Sequence, residues 1–390
     1  MKFAAPSKVL DVPHASSLVS DGANLWWTTS NLVGTARLDG SGAKILATFP
    51  AGDSWRVVAA HQNDVFVAAS RGGFDECSFL MIGMNGTRTE LAPKHCVERA
   101  ATNSHYLTWV RVQIGEFGDR IPSLWVAPIA GGKPHVLPGI NAFGSIVLQE
   151  GALWYRGKMS EISSVEMNGQ PTGDPPSRAP TSNVRAASPN GSGIHSFAVD
   201  GNDVYALYGD PNFAGYDLIL VPARGESKLL AKTAIPANMN GHGIPAGDPL
   251  IVGQYVYWTL PDQGLVRRAS TTGECPAEDV ATQQLNPDHL LVLGQELFWI
   301  NGSNGDATDA IMKLPLPAVV GTASPTRLPS RALGSLDGDT SPKTSPAAVS
   351  RGPFPTIAAM CATNDRVVVP LLRAKFGEDA FPDNGDVSVP

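Results

Sequence analysis

The sequence predicts an all-β fold, a β-propeller of four-stranded antiparallel blades, with eight blades expected and seven the alternative. Three observations predict it. One short signature recurs along the chain, and its copies are mostly about 40 to 50 residues apart. The amino terminus, in addition, reads like the last strand of the same unit. The signature is a small or polar pair, then an aliphatic residue, then usually an aromatic one. It reads Ala23-Asn24-Leu25-Trp26, Asn63-Asp64-Val65-Phe66, Ser104-His105-Tyr106-Leu107 and Gly151-Ala152-Leu153-Trp154. It continues as Asn202-Asp203-Val204-Tyr205, Gln254-Tyr255-Val256-Tyr257 and Gln295-Glu296-Leu297-Phe298, with a weaker eighth copy at Asn364-Asp365-Arg366-Val367.

Each unit then resolves into four strands. An apolar run such as Ser17-Leu18-Val19-Ser20 or Phe197-Ala198-Val199 precedes the signature and reads as the innermost strand. The signature is a turn that opens the second strand, as in Leu25-Trp26-Trp27-Thr28. A third strand and a Gly turn follow, as in Thr35-Ala36-Arg37-Leu38-Asp39-Gly40, and a fourth run such as Lys44-Ile45-Leu46-Ala47 closes the unit. β-Branched and aromatic residues between turn-forming residues are the hairpin pattern. Ser7-Lys8-Val9-Leu10 resembles the fourth-strand text Ser227-Lys228-Leu229-Leu230. Residues 7–12 are therefore expected to supply the outer strand of the last blade, its inner strands coming from about 355–390, which would close the ring without a free edge. Residues 170–194 and 320–354 are rich in Pro and Ser and read as long surface loops. Because stacked repeats form one body of any length, 1–390 is expected to be a single propeller domain.

Composition narrows the partners. A net charge of −7 and the lack of any basic run argue against nucleic acid, whose binding needs clustered Lys and Arg. No apolar stretch approaches the roughly 18 residues of a membrane-spanning helix. The four cysteines form no CxxC pair. Their even number fits two disulfides, Cys77 with Cys96 and Cys275 with Cys361, and an oxidising compartment. The protein is accordingly expected to be secreted, periplasmic or on the outer cell surface, and monomeric.

Tyr255-Val256-Tyr257-Trp258-Thr259, followed by Gly264-Leu265-Val266-Arg267-Arg268-Ala269, resembles the YWTD (NHL-like) propeller repeat, with Leu260 where that family carries Asp. The resemblance implies that Trp258 is a blade-core aromatic. Val199-Asp200-Gly201-Asn202-Asp203-Val204-Tyr205 resembles the blade text of exported propeller proteins of myxobacteria. His242-Gly243-Ile244 resembles the His-Gly-Ile of virginiamycin B lyase repeats, which implies a metal-dependent enzyme as one reading.

The propeller topology sorts the polar residues. Links between blades and the loops joining second to third strands fall on one face, around the mouth of the central channel. The links carry His14, Trp55, Arg56, His195, His242, Asp248, Asp288 and His289; the loops include Asp262, Asn304, Asp306 and Asp309. Ligand-binding candidates are His14, Trp55, His195, His242, Asp248 and His289. Imidazoles and carboxylates that converge could hold a divalent cation, calcium or magnesium, with His195, His242, His289 and Asp306 as candidate ligands. Were the protein an enzyme, His242 and His289 would be its catalytic residues. Asn301-Gly302-Ser303-Asn304-Gly305-Asp306-Ala307-Thr308-Asp309 has the oxygen-rich look of a calcium loop but lacks the EF-hand order, and an Asx-rich turn is the favoured account of it. Two function classes stay open: a module that binds a protein, peptide or glycan on its loop-rich face, and a metal-assisted lyase or hydrolase using the same channel mouth.

Overall fold

The computed structural model describes residues 3–50, 52–71, 77–115, 119–149, 151–157, 161–167, 183–187, 193–209, 215–234, 247–302 and 309–317. The chain falls into two compact units, Phe3–Pro317 and a second made of Met1–Lys2 with Ala318–Pro390. The second lies outside the described residues.

The Phe3–Pro317 unit is a propeller of seven four-stranded antiparallel sheets. The chain opens with β1 (Ser7–Asp11) and then enters blade 1, made of β2 (Ser17–Ser20), β3 (Asn24–Thr28), β4 (Leu32–Arg37) and β5 (Lys44–Thr48). Blade 2 follows with β6 (Asp53–His61), β7 (Asp64–Arg71), β8 (Cys77–Gly83) and β9 (Arg88–Pro93). In blade 3 the strands are β10 (Cys96–Thr102), β11 (Tyr106–Ile114), β12 (Arg120–Pro128) and β13 (His135–Val136). Blade 4 contains β14 (Ile146–Leu148), β15 (Ala152–Arg156), β16 (Glu161–Glu166) and β17 (Asn183–Ala187). Blade 5 is built from β18 (Ile194–Asp200), β19 (Asp203–Gly209), β20 (Gly215–Val221) and β21 (Lys228–Ala234). The sixth takes β22 (Leu250–Val252), β23 (Tyr255–Leu260), β24 (Leu265–Ser270) and β25 (Glu278–Ala281). The seventh has β26 (Asp288–Leu293), β27 (Glu296–Asn301) and β28 (Ala310–Pro315), and β1 pairs antiparallel with β28 as its outermost strand.

The amino-terminal strand thus closes the ring as the sequence suggests, but on different partners. Its neighbours come from 288–315 and not from about 355–390, so the expectation of eight blades is corrected to seven. The reason lies in what a blade must contribute. Each of the seven interfaces, including that between blades 7 and 1, holds one cluster of buried apolar side chains. Every working signature supplies an aliphatic residue to such a cluster; the weaker copy offers Arg366 at that position and lies outside the described residues. The segment read as a 170–194 loop includes β17, the outer strand of blade 4, and the start of β18. Residues 320–354 lie outside the described residues.

Second-strand tryptophans fill the interfaces. Trp26, Trp109, Trp154, Trp258 and Trp299 are fully buried, one on each of five blades. Large aromatic area removed from water at each wedge is the main force holding the blades radially. Cys77 and Cys96 form the expected disulfide, but where the sequence suggests a bond within one blade it joins the start of β8 to the start of β10, across blades 2 and 3. Cys361, the expected partner of Cys275, lies outside the described residues.

Candidate functional site

Each blade sends its innermost strand up to the channel at one end, and five of the seven channel-side segments carry a charged or imidazole side chain there. Four inner strands are bulged near this end: β6 between Val57 and Ala59, β10 between Val97 and Arg99, β18 between Ile194 and Ser196, and β26 between Asp288 and Leu291. A bulge turns a side chain away from the regular pleat. His195 is itself the bulged residue of β18, and His289, at φ 56°, lies inside the bulge of β26. These residues surround a cavity of about 650 Å³ to which all seven inner strands or their approaches contribute.

The polar lining has two electrical sides. Arg56 of blade 2 and Arg99 of blade 3 stand on one; Asp248, ahead of β22 in blade 6, and Asp288 of blade 7 stand on the other. Arg56 is half-buried and donates to the backbone carbonyls of Val97 at 2.9 Å and Glu98 at 2.5 Å, fixing the bulged entry of β10. Burial, then the neighbouring Arg99 cation, lower its pKa to about 10, so it stays charged at neutral pH. Arg156 forms an equivalent clamp between blades 4 and 5, donating to the carbonyls of Ile194 at 2.6 Å and His195 at 2.9 Å. Burial likewise lowers its pKa. Gly144 lies against that guanidinium at φ +67°, and a Cβ there would come within 2.6 Å of Arg156 Nη2, so both backbone and space require glycine.

Arg99 reaches Asp248 across the channel at 3.7 Å, although two whole blades separate them around the ring. Ser145 Oγ of blade 4 donates to Asp248 Oδ1 at 3.4 Å. Both ends of the ion pair are about half exposed, at 43% and 52%, so the pair contributes on the order of 0–1 kcal/mol and opens readily. On the far side, His289 Nε2 is 3.0 Å from the carbonyl oxygen of Ser16, joining blades 7 and 1, and 3.8 Å from Asp288 Oδ2.

Of the residues singled out from sequence, His195, Asp248 and His289 line this cavity. Trp55 does not: it is 3% exposed and stacks on Phe49 with centroids 3.6 Å apart, between blades 1 and 2. His14 is exposed in the turn ahead of β2, at φ 61°, and is not part of the lining. His242 and Asp306 lie outside the described residues. Among the described residues, no three His, Cys, Asp or Glu side chains come together as a metal-holding group. Sequence reasoning misses Arg99 and Ser145 and places Arg56 only among the links. All three sit eight or nine positions ahead of the aliphatic residue of their own signature, as do His195 before Val204 and Asp248 before Val256. That narrow offset of eight or nine positions is the signal that could have found them.

No protein-family model matches the chain, and no curated protein sequence matches it. Solved structures do. A streptogramin B lyase structure is similar over 80% of this chain and 97% of that one, at 12% identity and a TM-score of 0.53. A catalytically inactive virginiamycin B lyase from Staphylococcus aureus with quinupristin matches over 81% of this chain and 100% of its own, at 15% identity and a TM-score of 0.50. A chain of a mitotic checkpoint complex covers 81% of this chain and 94% of its own, at 12% identity and a TM-score of 0.56. At such identities the likeness shows the propeller fold alone, shared by lyases and by a member of a protein assembly.

Proposed function

We propose that the protein is an exported binding propeller that takes a peptide, glycan or protein segment into the mouth of its central channel. The observation that carries this reading is the set of blade entrances bearing polar side chains around one cavity of about 650 Å³, within the size range of ligand sites. His195, Asp248 and His289, with Arg56, Arg99 and Ser145, supply donors and acceptors of both signs there. The Cys77–Cys96 disulfide is consistent with an extracellular protein.

Isothermal titration against short peptides and oligosaccharides, with and without chelator, tests the reading. The expected result is one-to-one binding by one ligand class, unchanged by chelator and weakened about tenfold in His195→Ala or His289→Ala. Binding indifferent to both substitutions would move the site away from the channel. Binding abolished by chelator would favour the metal-assisted lyase or hydrolase, with His195, His242, His289 and Asp306 as its ligands. No binding by any class would reject the reading.

A further inference from the structure

Among the described residues the charges at the channel mouth are largely sorted, with Arg156 of blade 4 standing between the two sectors and interacting with both Arg99 and Asp248. Arg56, Arg99 and, on the β12 side of the same sector, Arg120 belong to blades 2 and 3. Glu98 is the acidic exception there, 3.3 Å from Arg120. Asp248 and Asp288 belong to blades 6 and 7. The two sectors face each other, and Arg99 with Asp248 is the pair that spans the opening.

Both members of this pair line the cavity, so a ligand that fills the mouth meets both charges. Separating it is easy while water still solvates both ends. Covering either charge with a ligand that offers it no partner is not, because a desolvated charge without a counterion is strongly unfavourable. A purely anionic ligand would satisfy Arg99 and leave Asp248 with only the Ser145 hydroxyl and the field of Arg156, while a cationic one would leave Arg99 without its carboxylate. Only a ligand with both signs replaces the broken pair with two new ones.

We propose that the channel mouth is specific for a dipolar ligand, a short peptide with both termini free. Its carboxylate lies against Arg99 and its ammonium group against Asp248 and Asp288. This rests on the binding reading above. The walls below, which include Val58, Val147 and Leu291, accept small apolar side chains between the two ends.

The probe is trialanine, compared with its N-acetyl and C-amide forms, titrated into the full chain. The unblocked peptide should bind, and capping either end should weaken binding about tenfold. Arg99→Gln should abolish the preference for the free carboxylate while keeping that for the free amine, and Asp248→Asn should do the opposite. This crossed pattern is not expected from mere loss of folding, and circular dichroism of both variants checks the fold. Equal binding of capped and uncapped peptides, or variants that keep both preferences, would overturn the proposal. If trialanine fails to bind while a singly charged or neutral ligand binds at the mouth, the dipolar specificity falls and the binding reading stands. If nothing binds, both fall.

Discussion

A single imidazole shows how closely the interfaces are matched. His95, 9% exposed, accepts the Trp109 indole N–H on its Nδ1 at 3.2 Å, and its ring meets Trp125 edge-on with centroids 4.5 Å apart. Burial, then the Arg111 cation, lower its pKa from 6.5 to about 4. A protonated Nδ1 could not accept the indole hydrogen. Because the folded value lies below the unfolded one, the stability contributed by neutral His95 is full above pH 6.5 and is lost as pH falls towards 4. The urea midpoint should therefore decline across that window, by at most about 3 kcal/mol in stability. His95→Gln should flatten the decline; an unchanged slope in that variant would assign it to other groups. By contrast, the indole nitrogens of Trp26, Trp154 and Trp258 are buried with no hydrogen-bond partner among the described residues. At these wedges volume matters more than polarity.

At the scale of the element, β1 does more than occupy an edge. Its pairing with β28 caps blade 7, and Val9 and Leu10 pack on the cluster between blades 7 and 1. Just before it, the Phe3 ring lies 4.5 Å from the guanidinium of Arg268, which is 1% exposed and also stacks over Tyr255 at 3.8 Å. Arg268 is neutralised by Glu278, so a buried cation is here both paired and covered. Removing residues 3–11 should therefore lower the melting temperature and leave β28 as an open edge able to pair with another chain. Sedimentation velocity should then show more association than in the full chain. A truncated protein that stays as stable and as dispersed as the full chain would mean that β1 is not the closure.

Over the whole ring, stability is a sum of seven similar wedges with no free end, and the interfaces are mutually dependent. Trp26→Ala between blades 1 and 2, and Trp154→Ala between blades 4 and 5, should each cost about 3–5 kcal/mol. Both should shift one common unfolding transition, seen identically by fluorescence and circular dichroism. Two separated transitions would show that the blades melt independently. The polar mouth can deviate from regular strand geometry because these wedges, and the Arg56 and Arg156 clamps, hold the bulged entries in place.

Much of this was legible along the chain, because a blade is a local object. The turn pair, the aliphatic, the aromatic and the Gly turn are neighbours in sequence, so strand order, tryptophan burial and the role of residues 7–12 as a closing strand could be read; the Cys77–Cys96 pairing could be read too, but not that it bridges two blades. The site was legible only as a face. His195, Asp248 and His289 follow from topology, yet Trp55, one position from Arg56, turns into the interface while Arg56 turns towards the channel, because residues along a strand point alternately. Blade number, the partners of β1 and the Arg99–Asp248 contact depend on how many wedges complete a circle and which bulges re-aim a side chain. Those are properties of the closed ring, and only the tertiary structure decides them.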